Sequence, residues 1–475
     1  MSATSTRPAA SSTGGATALM VALLAACVAF QLNASMLSPA LVTIGQELDT
    51  DQAAVGLSQT WFFTTAALFS LFLPRLSDII GRRRVLVGML LLTAVGSTVA
   101  ALAPNIGWLF AGRIIQGVSG PTVPLCLLML RSAVTDQRRY GTLMGLILAV
   151  NGGIAGVDSF LGGYLAENHG FRSIFWFMVV ISVVAAACVA WKSPESTPQA
   201  GTRMDWRGVL FIVVAVGALL TALNEGAELV AAFSASGLLV SLLLLAVAVA
   251  AFAAFWATEK ASTEPMVQIV HLRQRSTWAP LLTTVLTITG VFAVINGIVP
   301  AYVQATGQGF DLGPTATALL ILTPYALLGW IVGPFAGRLA PVLGYNKVLR
   351  LGLVGSIAAL LVILLFGLGS LPLMITGTAL LGIAYAGTAN IMLNGLGIVL
   401  SPVGNPGFLP GMTAGAFNLG AGLSFLVLPA VFVSTTGPDG QGSYAAVIIT
   451  GLVITAAALF ASLLIPKPVD AEVTA

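Results

Sequence analysis

The chain has 475 residues, of which 57% are hydrophobic and only 8% are charged, with a formal net charge of +3. About a quarter of the residues of a soluble globular protein are charged, so this composition excludes a soluble fold and indicates an integral membrane protein. The small positive charge reflects which loops face the cytoplasm and gives no reason to expect a nucleic-acid partner.

Fourteen apolar segments are long enough to cross a bilayer as helices, since a spanning helix needs about 20 residues. In chain order, the predicted spans are 18–43, 55–73, 85–104, 106–130, 141–166, 171–191, 208–225, 233–257, 278–303, 313–336, 348–369, 372–400, 410–434 and 444–466. Helix 12 is long enough to tilt or break. Residues 1–15, rich in Ser, Thr, Pro and Ala, are predicted to form a disordered cytoplasmic tail, and 468–475 a second tail.

Basic residues collect on one side of these crossings. Of the twenty Lys and Arg residues, all except Arg113 and Arg172 fall in loops or helix ends on that side. Cytoplasmic loops carry an excess of Lys and Arg, so the rich side is cytoplasmic. The sequence thus predicts a multi-pass protein of a bacterial cytoplasmic membrane with both termini in the cytoplasm.

The charged loop between helices 2 and 3 has a weaker copy in the second half of the chain. Leu76–Leu86 and Leu339–Leu349 share Leu, Gly, Val and Leu in register, but Pro341 replaces Asp78. Such a repeat is typical of secondary transporters built from duplicated bundles. We therefore predict an all-α integral membrane fold with two pseudo-symmetric six-helix bundles and two inserted helices. The N-terminal bundle, the linker with the inserted helices and the C-terminal bundle would occupy 16–192, 193–277 and 278–467.

The first copy of the loop is a candidate cytoplasmic gate. Asp78 ends helix 2 and is predicted to lie against the positive end of a helix that starts at the cytoplasmic face, such as helix 13. Gly81 permits the tight turn, while Arg82 and Arg83 anchor to acids or anionic head groups. A purely topogenic charge cluster is the alternative, and it would not explain the matched copy.

Two ionisable residues fall deep inside predicted helices. Arg113 in helix 4 and Asp158 in helix 5 lie roughly 10 Å and 13 Å from the outer face at 1.5 Å per residue. Because buried charges in transporters mostly mark pathways, we predict that Asp158 takes up and releases the coupled proton. Arg113 would adjust that exchange or bind substrate. The alternative is a fixed internal salt bridge between the two.

Amides and one tyrosine inside helices of both bundles are candidate substrate contacts. Amides also join membrane helices to one another, which is the alternative for each taken alone. Their presence in both bundles predicts a polar cavity between the halves for a small organic molecule. The set is Asn33, Gln116, Asn151, Asn296, Tyr302, Gln304, Asn390 and Asn394.

The sequence offers little for catalysis or metal binding. Cys27, Cys126 and Cys188 lie within predicted helices and have no metal-ligand spacing. A membrane-embedded enzyme would need an intramembrane cluster of His, Asp and Glu, a Ser/His arrangement or a metal set, so we predict no enzymatic activity, cofactor or metal. A passive channel would favour symmetric oligomers and a filter loop, whereas the internal duplication argues for a carrier, expected to be a monomer.

Two motifs carry a resemblance to a known family. Leu76-Ser77-Asp78-x-x-Gly81-Arg82-Arg83 is similar to the helix 2–3 motif of the major facilitator superfamily. Leu109-x-x-x-Arg113-x-x-Gln116-Gly117 resembles its helix 4 motif, whose Arg is linked in that family to proton transfer. Further segments resemble the fourteen-helix drug:proton antiporter branch. These are Asp205-Trp206-Arg207-Gly208, Glu264-Pro265, His271-Leu272-Arg273 and Pro300-x-Tyr302-x-Gln304.

The chain departs from that branch at two motifs. In helix 1, Leu32-Asn33-Ala34-Ser35 has an amide where the branch has an acid. In helix 5, Asp158-Ser159-Phe160-Leu161-Gly162-Gly163 stands where relatives read Gly-Pro-x-x-Gly-Gly. The resemblance associates the Gly-Pro element with exporters, and its loss suggests that the titratable site has moved from helix 1 to Asp158.

The sequence therefore predicts a proton-coupled secondary transporter that moves a small organic molecule by alternating access between two bundles. Efflux of drugs or metabolites follows from the resemblance to the antiporter branch. Import of a polar nutrient such as a nucleoside, by proton symport, is the alternative that the two departures keep open. Substrate identity, direction, stoichiometry and oligomeric state are not fixed by these patterns.

Overall fold

A computed structural model describes residues 13–134, 136–196, 204–231, 234–262, 269–402, 408–437 and 442–468. Within these residues, fourteen helices are long and apolar enough to cross a membrane, which confirms the predicted all-α fold. They are Thr17–Glu47, Gln52–Ile80, Arg82–Ala101, Ile106–Ala133, Arg139–His169, Phe171–Lys192, Trp206–Gly226, Ala235–Ala261, Arg275–Gln304, Pro314–Leu343, Tyr345–Gly369, Leu371–Val399, Phe408–Ser434 and Tyr444–Ser462.

The predictions for the two tails are largely untested, because most of these residues lie outside the described part. Residues 1–12 and 469–475 lie outside the described part, as does the Glu264-Pro265 motif. The first helix begins at Thr13, inside the stretch assigned to the N-terminal tail. Several spans run further than their apolar runs, because helical hydrogen bonding continues into the head-group region after hydrophobicity has ended.

Three helices of the C-terminal bundle change their hydrogen-bonding pattern in the middle. Helices 9, 10 and 12 contain π-helical segments at Val294–Ile298, Ala318–Leu322 and Gly382–Ala389. Helix 12, expected from its length to tilt or break, is thus continuous and contains a π-helical segment in its middle. Such turns are rare and are frequent at functional sites.

Close crossings at glycine hold each bundle together. In the N-terminal bundle, a Cβ added at Gly112 of helix 4 would lie 2.8 Å from the carbonyl oxygen of Gly96 in helix 3. In the C-terminal bundle, a Cβ at Gly451 would lie 2.5 Å from the carbonyl oxygen of Gly290. Small residues let membrane helices approach closely and gain packing energy that lipid cannot supply.

Helices 2 and 13 form one of two long contacts between the bundles. The hydroxyl of Thr60 donates to the carbonyl of Gly422 at 3.2 Å. Nearer the middle of the seam, the rings of Phe63 and Phe425 stack with centroids 6.3 Å apart, and Phe292 of helix 9 meets Phe63 edge-on. An aromatic cluster thus lies where the two halves meet.

Helices 5 and 10 form the second contact, which extends to the outer face. Thr323 donates to the Gly156 carbonyl at 2.9 Å. At the outer end, the carboxylate of Glu167 accepts a hydrogen bond from the backbone N–H of Thr315 at 2.9 Å. An acid at a helix N-terminus is favoured by the helix dipole. With the orientation given by the basic residues, these contacts close the bundles against each other at the outer face.

The inserted helices 7 and 8 pack beside the seam between helices 2 and 13. Ile212 and Phe255 form a small apolar cluster with Leu71 of helix 2 and Phe408 of helix 13. Leu272, in the short helix Ile269–Leu272 that precedes helix 9, joins the same cluster. The insertion therefore contacts both bundles near their cytoplasmic side.

Candidate functional site

Arg113 is fully buried and is held by neutral partners. Its guanidinium donates to Gln116 Oε1 at 2.8 Å and to the Asn33 carbonyl at 3.2 Å. It also donates to Gln59 Oε1, and it lies 4.0 Å above the ring of Phe62. A buried charge is tolerated only when hydrogen bonds replace its hydration, and helices 1, 2 and 4 supply them here.

Gln116 has both ends of its amide engaged in this network. It accepts from Arg113 and donates to Ser97 Oγ at 2.8 Å. The structure thus places Gln116 as a support for the Arg113 side chain, away from the cavity wall expected from the sequence. Because the helix spacing shared by Arg113 and Gln116 also suits an internal hydrogen bond, sequence alone did not separate these two roles.

Asp158 is buried in helix 5 and has hydroxyl partners. Ser35 Oγ of helix 1 lies 2.6 Å from Asp158 Oδ2, and Ser159 Oγ lies 3.3 Å from Oδ1. Arg113 reaches helix 1 at Asn33, two residues from Ser35, so the two charged groups contact different sides of that helix. Among the residues described, Arg113 and Asp158 form no ion pair, and the salt-bridge alternative is not realised in this structure.

Two of the predicted substrate contacts have unpaired oxygens. Asn33 is buried, donates its amide to the Ala29 carbonyl at 2.8 Å, and leaves Oδ1 without a partner. Asn151, on helix 5, also has a buried Oδ1 with no partner. Buried polar atoms are almost always hydrogen-bonded, so these two oxygens are acceptors that no described residue fills.

Asn296, Gln304 and Tyr302 of helix 9 are engaged at the outer closure. Asn296 accepts from Ser38 Oγ at 3.3 Å, and Gln304 donates to the Pro39 carbonyl at 3.1 Å. The Tyr302 hydroxyl donates to a backbone carbonyl at the outer end of helix 11. Two of these three, Asn296 and Gln304, therefore join the bundles.

Asn390 and Asn394 lie together on helix 12 but apart from the other amides. Asn394 Nδ2 donates to the Asn390 carbonyl at 2.8 Å, and Asn394 is exposed. Both follow the π-helical segment Gly382–Ala389, toward the cytoplasmic end of the helix. A contact of these two residues with a solute stays a prediction.

The predicted gate loop forms a turn that its copy reproduces. Gly81 has φ +108° and Gly344 has φ +90°, and each N–H bonds to the carbonyl four residues earlier, Ser77 and Ala340. Residues with side chains rarely adopt positive φ, which accounts for glycine at both turns. The duplication predicted from sequence is thus present in the backbone.

The charges of the first loop pair within the N-terminal bundle. Asp78 lies 2.9 Å from Arg82, whose guanidinium also donates to the Leu128 carbonyl at 2.9 Å. Arg83 donates its backbone N–H to Glu195 Oε1 at 3.0 Å, and its side chain lies 3.5 Å from the same carboxylate. Among the described residues, the partner of the Asp78 carboxylate is Arg82. The expected contact with the start of helix 13 stays a prediction, because 403–407 lie outside the described part.

Sequence reasoning missed the side chains that partner the buried charges and close the outer face. Gln31 and Ser35, spaced i and i+4 in an otherwise apolar helix, were a usable signal. Gln59 and Ser97 look like the other scattered polar residues of the helices, so the sequence gives no signal for their role. Within the described residues, no group of three His, Cys, Asp or Glu side chains could hold a metal ion.

Comparison with known proteins bears on both family and substrate. A sequence model of the Major Facilitator Superfamily matches residues 23–425. A uridine/deoxyuridine transporter of Lactococcus lactis subsp. cremoris (strain MG1363) is 48% identical over 467 residues, 97% of this chain and 96% of the relative. The multidrug resistance protein Stp of Mycobacterium tuberculosis (strain CDC 1551 / Oshkosh) is 28% identical over 78% of this chain and 67% of its own length.

Two solved structures share the fold. The human organic anion transporter MFSD10 (TETRAN) has a TM-score of 0.63 at 17% identity, covering 94% of this chain and 98% of that one. The nucleoside transporter NupG has a TM-score of 0.63 at 14% identity, covering 94% and 99%. At these identities the likeness concerns the fold alone.

Proposed function

The chain belongs to the major facilitator superfamily, and on that premise we propose that it imports a pyrimidine nucleoside of the uridine or deoxyuridine type by proton symport. As a member of a family of secondary transporters it is not an enzyme. The single observation that carries the substrate is the 48% identity, over nearly the full length of both chains, to a uridine/deoxyuridine transporter. Likeness to a multidrug resistance protein is much more distant, at 28%.

The choice between the two directions follows the same observation. Efflux was expected from resemblance to the antiporter branch alone, and that branch is only distantly related. Asn33 in place of the helix 1 acid, and Asp158 in place of the helix 5 Gly-Pro, are the departures that left nucleoside import open. Nucleoside uptake is therefore the function that we prefer.

Asp158 supports the proton coupling. A carboxyl group taken out of water holds a charge only at a cost, so a carrier can use one such group as a site that is neutral in some states and ionised in others. Ser35 and Ser159 can bond either form, because a hydroxyl both donates and accepts. Arg113, fixed by three acceptors, would hold helices 1, 2 and 4 in place while this exchange occurs.

Two kinds of group within the spans suit a nucleoside. Its sugar hydroxyls and base N–H are donors, and the free oxygens of Asn33 and Asn151 are acceptors. The flat base can stack on aromatic rings, which Phe292 and its neighbours supply at the seam. Polar acceptors and aromatic rings together would recognise both parts of such a molecule.

Uptake of radiolabelled uridine into proteoliposomes tests the proposal. We expect an acid exterior to drive accumulation and a protonophore to abolish it. Accumulation driven by an acid interior would identify an antiporter, and hence an exporter, whichever way the carrier is inserted. Absence of any effect of either gradient on uridine would overturn the proposal.

A further inference from the structure

We propose that Gln31 is a substrate-binding side chain and that the hydroxyl of Ser35 links it to the protonation of Asp158. This inference rests on the proposed function and names the element that couples the proton to the solute. It assigns to Gln31 a solute that carries a hydrogen-bond donor, such as the imide N–H of a uracil base or a sugar hydroxyl. Neither Gln31 nor Ser35 was among the side chains expected from the sequence.

Three short contacts define the link. Gln31 Nε2 donates to Ser35 Oγ at 2.9 Å. Ser35 Oγ lies 2.6 Å from Asp158 Oδ2 and 3.0 Å from the backbone carbonyl oxygen of Gln31. One hydroxyl group therefore joins a side-chain amide and a backbone carbonyl of its own helix to a carboxyl group of helix 5.

The position of Gln31 suits contact with a solute. Ser35 and Asp158 are buried, whereas Gln31 is only partly buried. Leu24 and Val28, on the same face of helix 1, are also partly buried, and helix 1 packs its other faces on helices 4, 5 and 6 of its own bundle. Gln31 thus lies at the boundary between the buried network and the side of helix 1 left free by its own bundle.

Counting hydrogens shows how protonation would act on Gln31. The Ser35 hydroxyl has one hydrogen and two acceptors within reach, Asp158 Oδ2 and the Gln31 carbonyl. When Asp158 is ionised, the hydrogen points to the carboxylate, and this charge-assisted bond polarises Ser35 into a better acceptor for the Gln31 amide. When Asp158 is protonated, it donates to Ser35, whose hydrogen turns to the Gln31 carbonyl.

The consequence is an ordered cycle. In the protonated state, the Ser35 oxygen is already accepting from Asp158, so it holds the Gln31 amide less firmly. Gln31 is then free to turn its amide toward the solute. Proton binding would therefore precede and favour nucleoside binding, as symport requires.

Other ionisable groups that face Asp158 are engaged elsewhere. On helix 4, Arg113 is held by its acceptors and Cys126 Sγ contacts the Leu23 carbonyl. Glu47 of helix 1 and Arg172 of helix 6 pair with each other at 2.9 Å at the outer face. On helix 10, the residues that meet Gly153, Gly156 and Gly163 of helix 5 carry no ionisable group. The backbone of Tyr325 lies against Gly382 of helix 12. Glu167 of helix 5 itself accepts from the start of helix 10.

The test measures KM for uridine against external pH in proteoliposomes holding the full-length carrier. For S35A we expect the midpoint of the pH profile to move by about one unit to higher pH, because the ionised carboxylate loses a donor. S35T, which keeps the hydroxyl, should restore the profile, and S35V, of the same shape without it, should not. For Q31L we expect KM to rise about tenfold, as the loss of one hydrogen bond to the solute predicts.

S356A provides the matched control. Ser356 of helix 11 is a buried serine whose hydroxyl, among the described residues, bonds the carbonyl four residues earlier at 2.7 Å. We expect neither KM nor its pH profile to change in S356A. A lower maximal rate in both S35A and S35V with an unmoved midpoint would show a merely structural role and overturn the link. An unchanged KM in Q31L would overturn the substrate contact. If the wild type ignores the proton gradient, it is the proposed function that fails.

Discussion

The two bundles share an architecture but differ in where they place charge. The N-terminal bundle buries Arg113 and Asp158 in the membrane, whereas charged residues of the C-terminal spans all lie near cytoplasmic ends. The C-terminal bundle instead contains all three π-helical segments found in the described residues. The buried charges thus lie in one half, and the local irregularity of the helices lies in the other.

The two loop copies sharpen this contrast. Arg83 contacts the chain after helix 6 through Glu195 and the Ser193 carbonyl. Asn346, at the matching position of the second copy, donates to the carbonyls of Ile465 and Pro466 after helix 14, at 3.0 and 3.1 Å. Each loop therefore anchors the last helix of its own bundle, one through ion pairs and the other through neutral hydrogen bonds.

The largest effect is expected at Asp158, on which the proposed division of roles depends. A gradient of one pH unit is worth about 1.4 kcal/mol per proton, or tenfold accumulation of the solute. D158N removes the exchangeable proton, so uridine should equilibrate without accumulating, while exchange of labelled for unlabelled uridine continues. Full accumulation of uridine by D158N in proteoliposomes would show that Asp158 is not the coupling site.

Arg113 should matter more for stability than any arginine of the C-terminal bundle. R113A leaves the oxygens of Gln59, Gln116 and Asn33 without their donor, and we expect a loss of about 3 kcal/mol in the free energy of unfolding. R350A is the matched variant, because within the described part of the chain Arg350 donates to the Ser462 carbonyl at 3.3 Å, a bond worth about 1 kcal/mol. Denaturant unfolding in detergent compares the two. Equal losses would contradict the special role of the Arg113 network.

The two glycine turns offer a matched pair. Alanine at either positive φ should cost about 1–2 kcal/mol in the free energy of unfolding. A Cβ at Gly81 would also lie 2.6 Å from Glu195 Oε1, while at Gly344 nothing lies within 4 Å. We therefore expect G81A to lower the melting temperature more than G344A does. If the two shifts are the same, Glu195 is not held against the first loop.

The smallest effect is expected at Glu195. Its partner Arg84 is 71% exposed, and such ion pairs contribute up to about 1 kcal/mol and weaken in salt. E195Q should therefore lower stability slightly at low ionic strength and not at all in high salt. N346A breaks neutral bonds in the second copy, so its cost should not depend on salt. Melting curves at two salt concentrations separate the variants. An effect of E195Q that does not depend on salt would refute stabilisation by ion pairs of Glu195.

The sequence was sufficient for features that depend on position along a helix. Length and hydropathy placed all fourteen spans, and the spacing in the two loops located the turns at Gly81 and Gly344. It was insufficient for contacts between helices, because depth in the membrane does not fix the direction in which a helix is rotated. Arg113 and Asp158 have similar depths, yet the partner of Asp158 is Ser35, 123 residues away.

Substrate and direction were beyond reach for a different reason. Amides such as Gln116 and Asn33 look alike in a sequence, whether they hold an arginine or face a cavity. Only the three-dimensional partners separate them, and the proposal of a nucleoside rests on a relative with a named substrate.

The contact of Glu167 with the start of helix 10 has a consequence for the rate of the transport cycle. Exposing the outer face requires this bond to break, together with those of Asn296 and Gln304. A carrier with bound solute can offset the loss of these hydrogen bonds with its contacts to the solute, but an empty carrier cannot. The reorientation of the empty carrier is therefore expected to limit the turnover rate. With nucleoside on both sides of the membrane, exchange of labelled for unlabelled nucleoside should be faster than net uptake.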